Sequence, residues 1–351
     1  MKTVDDPCKP MRSTARYLVL ACFVGAVIVT LACESATESM WWVELVRYAP
    51  FPVHLIPVSL ALGLSLYLGW AYRICAFVAL VMVGTQVTGL KWGTPDTGTG
   101  ALRVMTYNVK AYLAAERADG FDHLAGEIAK HDPDVLVMQD AFDVVEQLSA
   151  EQIPASMSTL RAALHGRQLY GSGEYLVASR FPLRDCGPRD MSYRQQHNHY
   201  VVCTMDVRGV PIDIFTAHFV SPREGLNAAR FEYWRGLAEW KGNYLNRLAQ
   251  AKALSSAVAS ASHAVIVAGD LNADEQSPVV RELLAAGLRD AFASAGRGYG
   301  FTHGHSLRPG FSFLRIDHIL VSPSVGVRRC YTGGKDASEH RPVVADLLTL
   351  P

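Results

Sequence analysis

Polar positions are sparse along the first ninety residues. They gather into short breaks between three uncharged runs, residues 17–33, 51–72 and 74–90, with only Arg73 between the last two. A bilayer crossing takes about 20 apolar residues, so the pattern predicts three N-terminal transmembrane helices, the second and third folded as a tight hairpin. Lys2, Lys9, Arg12 and Arg16 also suit the positive arm of a cleaved signal peptide ahead of the first run. The two further apolar runs favour an anchor over a cleaved leader.

Beyond residue 100 the periodicity changes. Residues 102–109 alternate like a strand ending at Asn108, and residues 121–130 carry Leu124 and Ile128 on one helical face. Asp132-Pro133-Asp134 stops that helix, and the apolar run 135–138 is a buried strand delivering Gln139 and Asp140. Residues 175–179, 200–207 and 212–218 read as antiparallel strands, the last ending at His218. A long helix is expected over 224–261, then a strand ending in Gly269-Asp270-Leu271-Asn272, then a helix over 278–286. Two last strands lead into Asp317-His318 and His340-Arg341-Pro342. Residues 93–100, with two Thr-Gly steps and Pro95, have linker composition. The expected organisation is an anchor over 1–92, a linker over 93–100 and a catalytic domain over 101–351.

Charge refines both parts. The loop 34–50 holds Glu34, Glu38 and Glu44 against Arg47, while the N-terminal arm and the Arg73 turn are basic. Basic loops stay cytoplasmic, so the expected location is a multi-pass protein of the cytoplasmic (inner) membrane with its catalytic domain extracytoplasmic. Seven of the 33 basic and six of the 33 acidic residues precede residue 101, leaving 26 and 27 for the domain. A net charge of −1 gives no electrostatic footprint for nucleic acid. Cys186, Cys203 and Cys330 form no CxxC pair, so a structural zinc site is not expected, and no disulfide pair is identifiable among them.

The polar clusters carry the chemistry. Asp270, Asn272, Asp317, Glu339 and His340 all lie beside short apolar runs, so strand packing brings them to one rim of a sheet. They supply oxygen ligands for a hard cation, an imidazole base and donors for developing negative charge, the requirements of metal-assisted phosphoryl transfer. Thr106-Tyr107-Asn108, Gln139-Asp140, Ala217-His218, Gly269-Asp270-Leu271-Asn272, Arg315-Ile316-Asp317-His318 and Ser338-Glu339-His340-Arg341-Pro342 follow one another in order. In that order they resemble the endonuclease/exonuclease/phosphatase superfamily, which includes DNase I-like nucleases, sphingomyelinases and inositol-phosphate phosphatases. The resemblance spans about residues 102–350.

It implies a DNase I-like four-layer α/β sandwich, two packed mixed sheets flanked by helices, here preceded by the N-terminal transmembrane helices. It also implies a divalent metal, usually Mg²⁺ with Mn²⁺ as a substitute. Asn108 and Asp140 would bind or orient that metal, and His340 would activate water. Asp317 would hold the His340 tautomer, Asp270 and Asn272 would position nucleophile and phosphate, and His218 would donate to a phosphate oxygen. The chain departs from the family twice, with Asp140 where Glu is usual and Glu339 where Asp is usual. One change shortens the reach to a cation and the other lengthens it. The expectation is that both carboxylates face the same cation and compensate, the alternative being independent drift with Glu339 outside the coordination shell.

Other residues have two readings. His199, clustered with His197 and Asn198, and Arg308, in a glycine-rich loop with His303 and His305, are candidates for substrate contact or solvated surface. Phe231, Trp234, Leu237, Trp240, Tyr244 and Leu248 recur at helical spacing, which suits a core stripe or an interfacial helix on lipid headgroups. The sequence points to a membrane-anchored phosphoester or phosphoanhydride hydrolase acting on a phosphorylated small molecule or a lipid-linked phosphate, with the bilayer as its partner and no protein partner inferable. An extracytoplasmic nuclease or nucleotide scavenger, and a catalytically weakened phospho-ligand sensor, are the alternatives.

Overall fold

The computed structural model describes residues 9–149, 155–307 and 310–349. The chain divides into two compact units, Met1–Leu90 and Lys91–Pro351.

In the first unit, α1 (Lys9–Glu34), α2 (Phe51–Ser65) and α3 (Trp70–Met82) pack together, and a π-helical turn, Val83–Val87, continues α3. Small residues fill the interior, among them Ala26, Ala61, Ala76 and Ala79. Large apolar side chains point outward instead: Leu20, Val24, Ile28 and Leu31 from α1, Ile56 and Leu60 from α2, Ile74, Phe77 and Val81 from α3. Two helices, Met11–Glu34 and Trp70–Val87, are long and apolar enough to cross a membrane by length and composition. The expected second span is shorter than the sequence suggested. The helix stops at Ser65 and the chain turns through Leu66 to Gly69, not at Arg73, because Arg73 donates from its guanidinium to Leu66 O at 2.8 Å and so caps α2 from within α3.

The second unit begins with Lys91 and Trp92, which pair with Arg297 and Gly298. The stretch of linker composition is held within this unit, since the Asp96 carboxylate accepts from Val327 N and the Arg289 guanidinium, each at 2.9 Å. The elements that follow are β1 (Ala101–Asn108), α4 (Gly120–His131), β2 (Val135–Gln139), β3 (Gln168–Ser172), β4 (Tyr175–Ser179), β5 (Leu183–Asp190), β6 (His199–Val207) and β7 (Val210–Thr216). Next come α5 (Arg223–Phe231), α6 (Tyr233–Ala259), β8 (Ala264–Asp270), α7 (Pro278–Ala285), β9 (Arg289–Asp290), β10 (Asp317–Val321), β11 (Val325–Thr332) and β12 (Val343–Thr349).

Two six-stranded mixed sheets result, in the orders β11-β12-β1-β2-β4-β3 and β9-β10-β8-β7-β6-β5. Period-two alternation builds the layers. Leu102 and Val104 of β1 face a core shared with Val201, Ile214, Ile266 and Ile319 of the other sheet, whereas Met105 and Tyr107 face outward onto Leu124 and Ile128 of α4. Strands β1 and β2 are parallel neighbours, as are β7 and β8. The helices connecting them therefore cross over on the outer faces, giving helix, sheet, sheet, helix. A disulfide between Cys186 and Cys203 joins β5 to β6, and Cys330 is buried and free.

The helix expected over 224–261 breaks at Glu232, and α5 folds back antiparallel on α6. A Cβ at Gly236 would lie 1.8 Å from Ala228 O, so only glycine permits this close crossing. The stripe changes character within α6, between Leu237 and Trp240. Trp240, Tyr244 and Leu248 are buried, while Phe231 and Trp234 are 66% and 80% exposed and Leu237 is 37% exposed. The core reading holds for the second half of the stripe and fails for the first.

Candidate active site

Strand ends converge because the two sheets are aligned. Parallel pairing sets Asn108 of β1 beside Gln139 of β2, so Asp140 emerges next to Asn108. On the second sheet β10 runs antiparallel to β8 with Asp317 opposite Asp270, and His218 bridges to Asp270 from beyond β7. Asp317 therefore opens its strand and His340 precedes its own, where the sequence suggested that strands lead into them. Gln139 Nε2 donates to Thr216 Oγ1 at 2.9 Å and Asn108 Nδ2 to Asp270 Oδ2 at 2.9 Å, which stitches the two sheets together at this rim.

The proton-handling half consists of Asp270, Asp317 and His340, all buried. His340 Nδ1 lies 2.9 Å from Asp317 Oδ2 and 3.7 Å from Asp270 Oδ2. A carboxylate only accepts, so Nδ1 carries the proton and Nε2 is the basic nitrogen. Burial pushes the Asp317 carboxyl up to about 6 and the His340 imidazole down to about 4, against the attraction of Asp270. Asp270 is also raised, by burial and then by Asp317. Asp270 Oδ1 accepts from Asn272 N at 2.9 Å, and Asn272 Nδ2 donates to Phe219 O at 2.8 Å.

The second half brings Asp140, Glu174 and His218 together, with ligand atoms within 4.8 Å of one another. His218 Nδ1 donates to Glu174 Oε2 at 2.7 Å and lies 3.7 Å from Asp140 Oδ1, while Nε2 is 3.6 Å from Asp270 Oδ2. Burial disfavours its charge, but Glu174, Asp140 and Asp270 more than offset this and raise it to about 10. Burial likewise works against the Asp140 carboxylate, yet His218 and Lys110 bring it down to about 2. Lys110 Nζ sits 2.5 Å from Asp140 Oδ2. Lys110, Asp140 and Asn272 all have left-handed backbone, with φ of 45°, 50° and 47°. Asp and Asn tolerate that region, whereas for Lys it costs about 1–2 kcal/mol.

Within that group His218 is a charged donor, and the carboxylates of Asp140 and Glu174 offer oxygen ligands, which fit Mg²⁺ or Mn²⁺. The Asp270, Asp317 and His340 cluster has three of its four carboxylate oxygens committed to hydrogen bonds, so it reads as proton machinery and not as a coordination shell.

Seven of the sequence candidates converge here: Asn108, Asp140, His218, Asp270, Asn272, Asp317 and His340. Glu339 does not join them. Its carboxylate meets Arg223 at 3.5 Å and is not among the ligand atoms gathered with Asp140, so the expected sharing of one cation with Asp140 is not what the structure brings together. His199 stands at the rim, edge-on to Tyr175 and beside Gly173, with its buried Nε2 lacking a hydrogen-bond partner. Arg308 lies outside the described residues. His303, read as part of a solvated loop, is instead buried against His340 with ring centroids 4.6 Å apart, because it bridges to both Leu314 and His340. Glu174 and Lys110 were not anticipated, and only their positions beside a strand end hinted at them. A cavity of about 330 Å³ opens beside the site between Lys110, Arg117, His305, Lys335, Ser338 and Glu339.

The profile of the Endonuclease/Exonuclease/phosphatase family matches residues 105–340 of this chain. No curated protein sequence matches it. Among solved structures, TDP2 of D. rerio complexed with a single-strand DNA product is similar at 18% identity and TM-score 0.54, covering 72% of this chain and 100% of its own. An endonuclease/exonuclease/phosphatase from Bacteroides vulgatus has 17% identity and TM-score 0.54 over the same shares. A family protein from Leptotrichia buccalis C-1013-b has 19% identity and TM-score 0.50, covering 70% of this chain and 99% of its own. At these identities the likeness speaks for the fold.

Proposed function

The chain belongs to the endonuclease/exonuclease/phosphatase family, and on that footing we propose that it is a membrane-anchored hydrolase of phosphoester or phosphoanhydride bonds at the outer face of a cytoplasmic membrane. The observation that carries the chemistry is the buried His340–Asp317 pair at 2.9 Å, set beside the Asp140, Glu174 and His218 group. His340, neutral at pH 7, takes a proton from water at Nε2 while Asp317 holds Nδ1. The water oxygen bonds to phosphorus as the bond to the leaving oxygen breaks. His218 and Lys110 supply positive charge to the phosphate oxygens. A divalent cation held by Asp140 and Glu174 would neutralise phosphate charge.

Anchoring is supported by the outward-facing Leu, Val, Ile and Phe side chains of the first unit, a surface that water disfavours and lipid accepts. An outer location is supported by the acidic loop 34–50 and by the Cys186–Cys203 disulfide, a bond rare in the reducing cytoplasm. A lipid-linked phosphate suits an anchored enzyme whose domain carries a net charge of −1 better than a long nucleic acid does.

The test is turnover by the full-length protein in detergent, with and without Mg²⁺, on a lipid pyrophosphate, a phosphodiester lipid and single-stranded DNA. Mg²⁺-stimulated cleavage of a lipid substrate is the expected result. Cleavage of DNA alone would make the protein a surface nuclease, and absence of turnover on these and on an aryl phosphodiester would make it a sensor.

A further inference from the structure

A cavity of about 560 Å³ lies in the second unit between the turn that joins β5 to β6 and the hairpin α5–α6. Arg194 and Gln196 of the turn, Glu224 of α5, and Glu239, Asn243 and Asn246 of α6 are among its walls. The volume is within the range of small-molecule sites, roughly 300–1,000 Å³. Such sites are mostly apolar, whereas every side chain lining this one carries a polar group.

Contacts within the unit tie the cavity to the catalytic rim. Asn243 Nδ2 donates to Ser221 O at 2.8 Å, and Ser221 follows His218 by three residues, at most about 10 Å of chain. Arg247, beside Asn246, donates to Asn272 O at 2.8 Å. Arg223, beside Glu224, meets Glu339 at 3.5 Å, and Glu339 precedes His340. The turn itself runs into His199, which stands beside Gly173, one residue before Glu174. A substrate whose phosphate meets His218 can therefore reach the cavity with the group it carries on that phosphate.

The lining says what that group is. Two carboxylates, Glu224 and Glu239, set against the one guanidinium of Arg194 disfavour a second phosphate here. Ser221 O only accepts, which fixes the Asn243 amide and leaves Oδ1 as an acceptor without a partner. Asn246 is 4% exposed; its Nδ2 donates to Gln196 Oε1, and its Oδ1 is likewise buried and unpaired. An unpaired buried acceptor is costly, and a donor brought by a ligand removes the cost. Gln196 is exposed on the turn, so a ligand can take its place against Asn246. Hydroxyl groups suit such walls, because they donate to carboxylate and amide oxygens and accept from N–H groups. A bare cation, held by oxygens at about 2.0–2.6 Å, would leave most of the volume unfilled.

We infer that this cavity is a subsite for the hydroxyl-rich part of the substrate, a sugar or polyol esterified to the phosphate that is cleaved. The inference rests on the phosphoesterase reading above and adds a substrate class to it.

The test measures inhibition constants against hydrolysis of an aryl phosphodiester by the full-length protein with Mg²⁺, in a detergent without a sugar headgroup. Two matched pairs are compared: butyl phosphate with glucose 6-phosphate in solution, and phosphatidylbutanol with phosphatidylglucose in the micelles. At least tenfold tighter inhibition by the glucose member of either pair is expected, and the pair that shows it tells a soluble sugar phosphate from a lipid headgroup. Asn246→Leu and Glu239→Ala should each bring the preference below threefold. Glu239 is exposed on its helix, so that variant keeps the test open if Asn246→Leu does not fold. Equal inhibition within both pairs, or a preference that neither variant lowers, would overturn the inference. Ca²⁺ binding that Glu239→Ala abolishes, without any preference for glucose, would overturn it in favour of a cation site. If the aryl phosphodiester is not hydrolysed at all, the phosphoesterase reading fails, and the same pairs compared by titration calorimetry decide the subsite on their own.

Discussion

His218 Nδ1 donates to Glu174 Oε2 at 2.7 Å, joining residues 44 positions apart at the junction of the two sheets. The carboxylate holds the imidazole charged in a setting whose burial would otherwise strip the proton away, and with Asp140 and Asp270 it raises His218 to about 10. Replacing Glu174 by Gln keeps the shape and removes the charge, so the imidazolium should release its proton at lower pH. The alkaline limb of the pH–rate profile should move down, and kcat above the lowered limb should fall by roughly 10²–10³-fold, the scale of losing one positioned donor. An alkaline limb that does not move would show that Glu174 does not sustain His218.

Asp317 and His340 set the opposite limb. Burial raises the Asp317 carboxyl to about 6 and lowers the His340 imidazole to about 4, so the pair takes up its first proton near pH 6. If that proton stays on Asp317, the acid donates to Nδ1 and His340 Nε2 must carry the other proton; if it passes to His340, Nε2 is occupied directly. Either way the base is lost, and kcat/KM should fall about tenfold per pH unit below about 6. A rate that stays level down to pH 5 would reject this pair as the base.

Much of this site was legible because strands end where their polar clusters begin. Asn108, Asp140, His218, Asp270 and Asn272 each follow an apolar run that the sheets bury, so the rim could be read without knowing strand order. Glu174 was hidden because Gly171-Ser172-Gly173-Glu174 reads as a turn and its meaning lies in His218, far away in sequence. Lys110 depends on a left-handed backbone that its residue type does not announce. Glu339 pairs instead with Arg223, a contact that its sequence position beside His340 does not announce. The aromatic stripe runs across a helix break at Glu232, and spacing alone does not distinguish a face on the core from a face on solvent.

Metal dependence should separate Asp140 from Glu339. Chelation by EDTA should abolish turnover and Mg²⁺ or Mn²⁺ should restore it, since Asp140 and Glu174 offer oxygen ligands. Asp140→Ala removes the carboxylate that sits with Glu174 and His218, and should raise the Mg²⁺ concentration for half-maximal rate by more than tenfold. Glu339→Ala breaks only a partly exposed contact with Arg223 at 3.5 Å, and should change that concentration by less than about threefold. Titration of activity against free Mg²⁺ measures both, and full activity of Asp140→Ala at low Mg²⁺ would remove Asp140 from the coordination shell.

Asp290 should matter for stability. Its carboxylate accepts from Arg315 at 2.8 Å, from His318 Nδ1 at 3.0 Å and from Ala293 N at 2.8 Å, all out of reach of water. Asp290→Ala leaves the Arg315 guanidinium buried with Glu275 as its remaining carboxylate partner. Breaking a buried pair on one side costs about 3–5 kcal/mol, which for a domain of this size corresponds to a Tm lower by roughly 10 °C. Calorimetry on the full-length protein in detergent checks this, and a fall of only a degree or two would show that Glu275 alone satisfies Arg315.

Gly269 should be irreplaceable for activity although it bears no functional group. It precedes Asp270 at the point where β8 meets the chain leaving β7, and a Cβ there would stand 2.1 Å from Ala217 O and 3.0 Å from Ala217 N. Both are backbone atoms, so no rotamer change relieves the clash and the strand ends must part. That separation acts directly on the neighbouring contacts, Phe219 N to Asp270 O at 2.9 Å and His218 Nε2 to Asp270 Oδ2 at 3.6 Å. A displacement of about 1 Å at reacting groups costs on the order of 10²-fold in rate, and Gly269→Ala should lose at least that much in kcat. Gly126→Ala is the matched control. Gly126 lies on the exposed face of α4, where a Cβ meets nothing within 4 Å, and there the change should stabilise by about 0.5–1 kcal/mol with activity intact. If both variants retained full turnover, the close approach at Ala217 would not be what positions His218 against Asp270.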